Sequence, residues 1–115
     1  MKTYRWSDIP AEQLNPLTAR KMIHGSSVTV GRFELKKGCV VPTHSHINEQ
    51  LSTIDSGCLK FTFGEEEIFV RAGETLVIPP NVPHSAEAIE DTAATDIFVP
   101  LRQDWIDGTD AYLRK

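Results

Sequence analysis

From Val28 onward the chain is broken about every eight to twelve residues by Gly, Pro or Asn, the spacing expected of a sandwich or barrel. The segments between those breaks are short and rich in Val, Ile, Phe and Thr. LKFTF (Leu59–Phe63) alternates cleanly, which places Leu59, Phe61 and Phe63 on a core face and turns Lys60 and Thr62 outward. VTVGRFEL (Val28–Leu35) alternates with one interruption, Gly31, which reads as a bulge. Phe63-Gly64-Glu65 turns the chain into EIFV. TLVIP stops at Pro79-Pro80, where a ladder cannot continue. HSAEA and TDIFVP supply two further strands.

The flanks differ. Residues 1–27 carry Pro10 and Pro16 and little periodicity, and read as an N-terminal arm with a short edge strand around Arg20–Ile23. Residues 28–100 form the barrel. Residues 101–115 are polar, with Trp105, Tyr112 and Leu113 spaced as anchors, and read as a tail laid over the sheet surface. The expected fold is all-β, a closed or nearly closed barrel or two-sheet jelly roll with an interior cavity. Small domains of this kind pair through their outer sheets, so a homodimer is expected.

With 115 residues there is room for one core. A net charge of −4 without a basic run or an aromatic-interleaved Arg/Lys stripe argues against nucleic acid as a partner. No apolar run reaches membrane-spanning length and no leader-like segment opens the chain, so a cytoplasmic protein with no membrane partner is expected. Cys39 and Cys58 are too few for a disulfide scaffold and read as buried thiols.

The chemistry sits in GCVVPTHSHINEQLSTIDSG, from Gly38 to Gly57. Of four histidines, His44 and His46 stand two apart, which on a strand points both to one face. Two charged imidazoles there would repel; two neutral ones can share a cation. Gln50 has the right parity to join them if the strand runs on undisturbed. Ile47-Asn48 looks like a turn, however, so Glu49 and Gln50 compete for the third place. His84, launched from the PPNVP turn, supplies the fourth. Such a set suits a divalent Ni, Zn, Mn, Fe or Cu ion alike. His24, alone in KMIHGSS, reads as a non-ligand. Further on, Asp96, Phe98 and Pro100 share one strand face. A carboxylate in an apolar cavity near a metal is open to proton transfer. Phe98 reads as core or as an apolar wall of the cavity, and Arg102 stands where it can fork a carboxylate. Arg20 is a weaker candidate for the same task.

Gly38, His44, His46, Gln50 and Gly57 resemble the first cupin motif, and Gly73, Pro79 and His84 resemble the second. Three residues depart from that pattern: Gln50 replaces the usual Glu, Asn81 stands where the second motif has a glycine, and Ala88 where it ends in Asn. A set of three histidines and one glutamine is known within the cupins. A neutral amide leaves a divalent ion its full charge, and Glu49 then takes an outward or supporting place. The resemblance implies the double-stranded β-helix of the RmlC-like cupins. PLTARKMIHGSS, IPPNVPHSAEAIEDTAATDIFVPLRQDW and the ending GTDAYLR are similar to the small single-domain cupins of the pectin-degradation type. That resemblance implies conversion of 4,5-unsaturated monouronates to linear keto-uronates, with an Asp-x-Phe and an Arg four residues later as active-site groups, here Asp96, Phe98 and Arg102. An iron-dependent dioxygenase, a lyase on a small organic substrate and a non-catalytic small-molecule-binding module are the rival readings of the same ligands.

Overall fold

The computed structural model describes residues 1–115 and folds them into ten strands with little helix. In chain order these are β1 (Glu12–Asn15), β2 (Thr18–His24), β3 (Thr29–Leu35), β4 (Val40–His44), β5 (Glu49–Ser56), β6 (Cys58–Phe63), β7 (Glu66–Arg71), β8 (Thr75–Ile78), β9 (His84–Ala88) and β10 (Thr92–Val99). All pairings are antiparallel. One sheet has the order β1-β2-β3-β10-β5-β8 and the other β4-β9-β6-β7, and together they enclose the core as a jelly-roll barrel. One short helix, α1 (Gln103–Asp107), and a 3-10 turn (Ala111–Arg114) follow. No helix is long and apolar enough to cross a membrane.

Period-two burial explains the two layers. In β3 the residues Thr29, Gly31, Phe33 and Leu35 face inward, and in β10 Thr92, Ala94, Asp96 and Phe98 do. Leu59 and Phe61 are buried opposite them, with Phe63 packed at the edge, as the alternation of LKFTF requires. Cys39 and Cys58 are buried free thiols.

Three sequence expectations need revision. Gly31 makes no bulge: β3 pairs through it without a register shift on both sides. A Cβ there would approach the Trp105 ring to 3.1 Å, so the missing side chain makes room for an indole. The edge strand expected near Arg20–Ile23 extends over Thr18–His24, and β1 lies outside it as the true edge. The tail does not rest on an outer sheet surface, because Trp105 and Leu113 are buried in the core cluster itself.

The outer face of the larger sheet carries one uninterrupted aliphatic row. Ile23, Val30, Ile97, Leu51 and Val77 are register partners across five successive strands. Ile97 and Val77 are 38% and 55% exposed, too open to belong to the monomer's core.

Gly57 joins β5 to β6 at φ +89°, where a Cβ would run into the Asp91 carbonyl oxygen and the Thr92 side chain. That Thr92 hydroxyl accepts the Cys58 N–H at 3.1 Å and holds the turn in place. Gly38 and Gly73 also have positive φ, but with open space around them. Gly57→Ala should therefore cost more than about 3 kcal/mol, and Gly38→Ala or Gly73→Ala about 1 kcal/mol each, measured by urea unfolding. Equal losses at the three positions would refute the steric argument.

Candidate metal centre

His44 ends β4, and His84 begins β9 directly opposite it, a pairing reached through a register shift after Val41. The shift is local: Pro42 cannot donate to a ladder, so the strand bulges there. His46 lies beyond the strand, in a bend. The Asn81 N–H donates to the His46 carbonyl at 2.8 Å and ties this bend to the PPNVP turn. Asn81 sits at φ 63°, a conformation Asn tolerates better than most residues, which accounts for its standing where the motif has glycine. Asn48 secures the other side by donating to the Leu101 carbonyl at 3.2 Å.

One ring nitrogen from each of His44, His46 and His84 lies within 4.8 Å of the other two. Which nitrogen is settled by the backbone. The Nδ1 of His44 donates to the Pro42 carbonyl at 2.7 Å, that of His84 to Val82 at 2.8 Å and that of His46 to Asn48 at 3.0 Å. Neutral rings with Nδ1 protonated present Nε2 lone pairs, the form that binds metal. Burial lowers all three pKa values, that of His44 to about 4, assisted by repulsion from the other imidazoles and from Arg102.

Gln50, not Glu49, faces this group. Glu49 is exposed and Gln50 is buried on the inner face of β5. Its Nε2 donates to Asp96 Oδ2 at 2.8 Å, which turns Oε1 toward His46 Nε2 at 3.0 Å. With the His46 proton on Nδ1, two lone pairs meet there with no hydrogen between them. A cation bridging Oε1 and Nε2 relieves that conflict, so the donor set fits a divalent ion.

Asp96 is buried, accepting from Ser52 Oγ at 2.8 Å as well as from Gln50. Burial pushes its pKa up to about 7, against the lowering effect of those two bonds and of Arg102. Phe98 is core, edge-on to Trp105 at 4.9 Å and to His46 at 5.8 Å. Arg102 is buried beside the cavity rather than at its mouth. Its Nε and Nη2 form a fork on the Asp104 carboxylate at 2.9 and 2.7 Å, and Nη2 also donates to the Tyr112 hydroxyl at 2.6 Å. The guanidinium fork that the sequence offers to a substrate is thus held internally, with Nη1 left over. Arg20 is occupied too, by Asp110 at 2.8 Å and Glu12 at 2.7 Å, and serves to clamp the tail to β1 and β2. His24 stands apart, bonded to Thr29 Oγ1 at 2.8 Å.

His44, Gln50, His84, Asp96, Arg102 and Tyr112 share the wall of one cavity of about 60 Å³. Tyr112 is the residue sequence reading undervalued. It was legible as an anchor, but its ring stacks on His44 at 4.4 Å, a contact across 68 residues of chain that no local pattern announces. Ser52, by contrast, was within reach, since it lies two residues beyond Gln50 on the same strand face.

A model of the cupin domain matches residues 31–100. Among solved structures, KdgF from Halomonas sp. superposes with a TM-score of 0.83 at 22% identity, covering 90% of this chain and 99% of that one. An RmlC-like cupin from Shewanella frigidimarina gives 0.84 at 21% identity, over 91% of this chain and 96% of that one. A Bacillus subtilis oxalate decarboxylase gives 0.75 at 18% identity, over 84% of this chain and 29% of that much longer one. Comparison with curated protein sequences gives no match. The matched family model spans both halves of the barrel and every histidine of the cluster, and the chain belongs to the cupin-domain family.

Proposed function

We propose that this protein is a metal-dependent enzyme that opens 4,5-unsaturated monouronates and ketonises them to linear keto-uronates. His44, His46, His84 and Gln50 would hold one divalent ion, which polarises a substrate oxygen when bound. The observation that carries the reading is Asp96, a buried carboxyl poised near neutrality on the wall shared with His44 and His84. The reaction is an isomerisation. One proton leaves the anomeric hydroxyl as the ring C–O bond breaks and the aldehyde forms; one proton arrives at the neighbouring carbon as the enol becomes a ketone. No water is consumed, so one group that takes and returns a proton suffices. Asp96 is that group. Proton uptake at Oδ2 displaces the Gln50 amide, so proton transfer and ligand orientation are linked through one hydrogen bond. Arg102, through Nη1, neutralises the substrate carboxylate, and Phe98 supplies an apolar wall.

The small cavity favours a second reading, a lyase acting on a much smaller acid at the same ligands. Either enzyme would work as a homodimer, which we infer from the aliphatic row on the outer sheet. A second copy is the natural occupant because one apolar row meets its own image in an isologous contact.

Three outcomes are expected. Purified protein should take up one Ni²⁺ or Zn²⁺ per chain by calorimetry, and His84→Ala should weaken binding by about a hundredfold or more. The imidazole pKa values are lowered, so protons compete late: affinity should hold nearly flat from about pH 8 to about 6 and decline only in more acid solution. A decline beginning at pH 7 or above would mean ordinary exposed imidazoles. Asp96→Asn can still accept from the Gln50 amide, and should retain metal while losing about 10²–10⁴ in turnover of unsaturated galacturonate, followed by ultraviolet absorbance. Undiminished turnover removes Asp96 from the chemistry. Ile97→Glu should shift sedimentation from dimer to monomer without changing the far-ultraviolet spectrum, and a wild-type monomer would end the pairing proposal.

A further inference from the structure

The cavity is too small for the substrate just proposed, and one wall is built differently from the others. Each water-sized group needs ~10–15 Å³ on this scale, so about 60 Å³ seats roughly four to six, against about a dozen non-hydrogen atoms in a monouronate. Something must move. Most of the wall lies on strands paired on both sides. Trp105 is fixed between the Arg20 and Arg102 guanidinium groups at 4.4 and 4.6 Å, and Arg102 is fixed by Asp104. That leaves Val41 and His44 on the edge strand β4, where His44 is held by its bond to the Pro42 carbonyl, and Tyr112 and Leu113, on the 3-10 turn Ala111–Arg114.

The anchoring of that turn is uneven. Asp110, just before it, is wholly buried in its pair with Arg20 and makes a firm post. Beyond the post, the turn is held by the Asn15 amide donating to the Leu113 carbonyl at 3.0 Å and by half-exposed ion pairs of Arg114 with Asp110 and Glu12. Such exposed pairs contribute little. Inside, Tyr112 contributes its stack on His44 and its bond from Arg102. The hydroxyl therefore occupies the Arg102 Nη2 donor that an incoming carboxylate on Nη1 would need for its second hydrogen bond.

We propose that Tyr112 is a gate: the turn Ala111–Arg114 swings about Asp110 to admit ligand, and the departing hydroxyl releases Arg102 Nη2 to the ligand's carboxylate. Tyr112 is then a specificity-determining residue. Closed, it limits the site to small ions and water; open, it exchanges one oxygen on Arg102 for another, so opening leaves no buried cation unpaired. The proposal rests on the uronate reading only for the size of the ligand.

The test uses the metal-free full chain and diethyl pyrocarbonate, a reagent close to a monouronate in size that acylates neutral imidazole. Modification of His44, His46 and His84 is followed residue by residue by peptide mass spectrometry. Tyr112→Ala should raise the rate at these residues by about tenfold or more, and Tyr112→Phe, which keeps the ring but loses the Arg102 bond, by about two- to threefold. Ile54→Val, a core change away from the cavity, should leave the rate within about twofold and so separates gating from general loosening. Rates for Tyr112→Ala within twofold of wild type, or an equal rise in Ile54→Val, overturn the gate. No metal or turnover enters the measurement: a gated but inactive protein would sink the uronate reading alone, and an active one with open imidazoles would sink the gate alone.

Discussion

Three neutral imidazoles aimed at one another inside a barrel are the constraint around which this structure is arranged. Left to themselves, lone pairs at such separation repel, and protonating them in an apolar cavity carries a desolvation penalty. The fold answers with backbone. Carbonyls of Pro42, Asn48 and Val82 each take an Nδ1 proton, and each comes from a bend, a turn or a bulge rather than from regular ladder. The irregular pieces of the two motifs, the Pro42 bulge and the PPNVP turn, are therefore what fixes the tautomers. The regular strands only bring them within range.

A second buried polar system supports the first. Ser52 and Gln50 both donate to Asp96, and the amide so oriented faces His46. A glutamate at position 50 would set a second carboxylate against Asp96, and two buried carboxylates in contact cannot both stay ionised. Gln50 and Asp96 thus make sense as a pair: the motif's usual negative charge is withdrawn from the ligand position, and one stands a single hydrogen bond behind it. On the proposed reaction, that arrangement leaves a buried carboxyl beside the imidazole cluster to carry a proton.

Most of the barrel was readable because alternation and punctuation are local. LKFTF declared its buried face, and the paired histidines declared a cluster that could hold a cation. Parity alone favoured Gln50 over Glu49, yet His46 is not on a strand, so the argument from spacing reached the side chains that face one another by a partly wrong route. The chain flanks were poorly legible for a different reason. β1, β2 and the tail are held by Arg20 with Glu12 and Asp110, contacts spanning up to 90 residues. Ion pairs of that kind leave no periodic trace. Gly31 misled for the same reason: its partner is Trp105, far along the chain, and a missing Cβ looks the same in sequence whether it serves a bulge or a distant ring.

Arg102 unites these layers. Its charge helps hold His44, His46 and His84 neutral and draws the Asp96 pKa back down against burial. Its planar face lies over Phe98 and Trp105 at 4.8 and 4.6 Å, and its edges bond Asp104 and Tyr112. A lysine could supply the charge but not the fork or the stack. One side chain thus bears on the protonation of imidazoles and carboxyl alike, and bonds the Tyr112 hydroxyl on the cavity wall. Binding an anion there must act on all of them together: it screens the repulsion on the imidazoles, removes part of the lowering on Asp96, and competes with Tyr112. On the proposed reaction, a substrate carboxylate at Arg102 would raise the basicity of Asp96 at the moment a proton has to be taken, which would tie binding to chemistry through electrostatics.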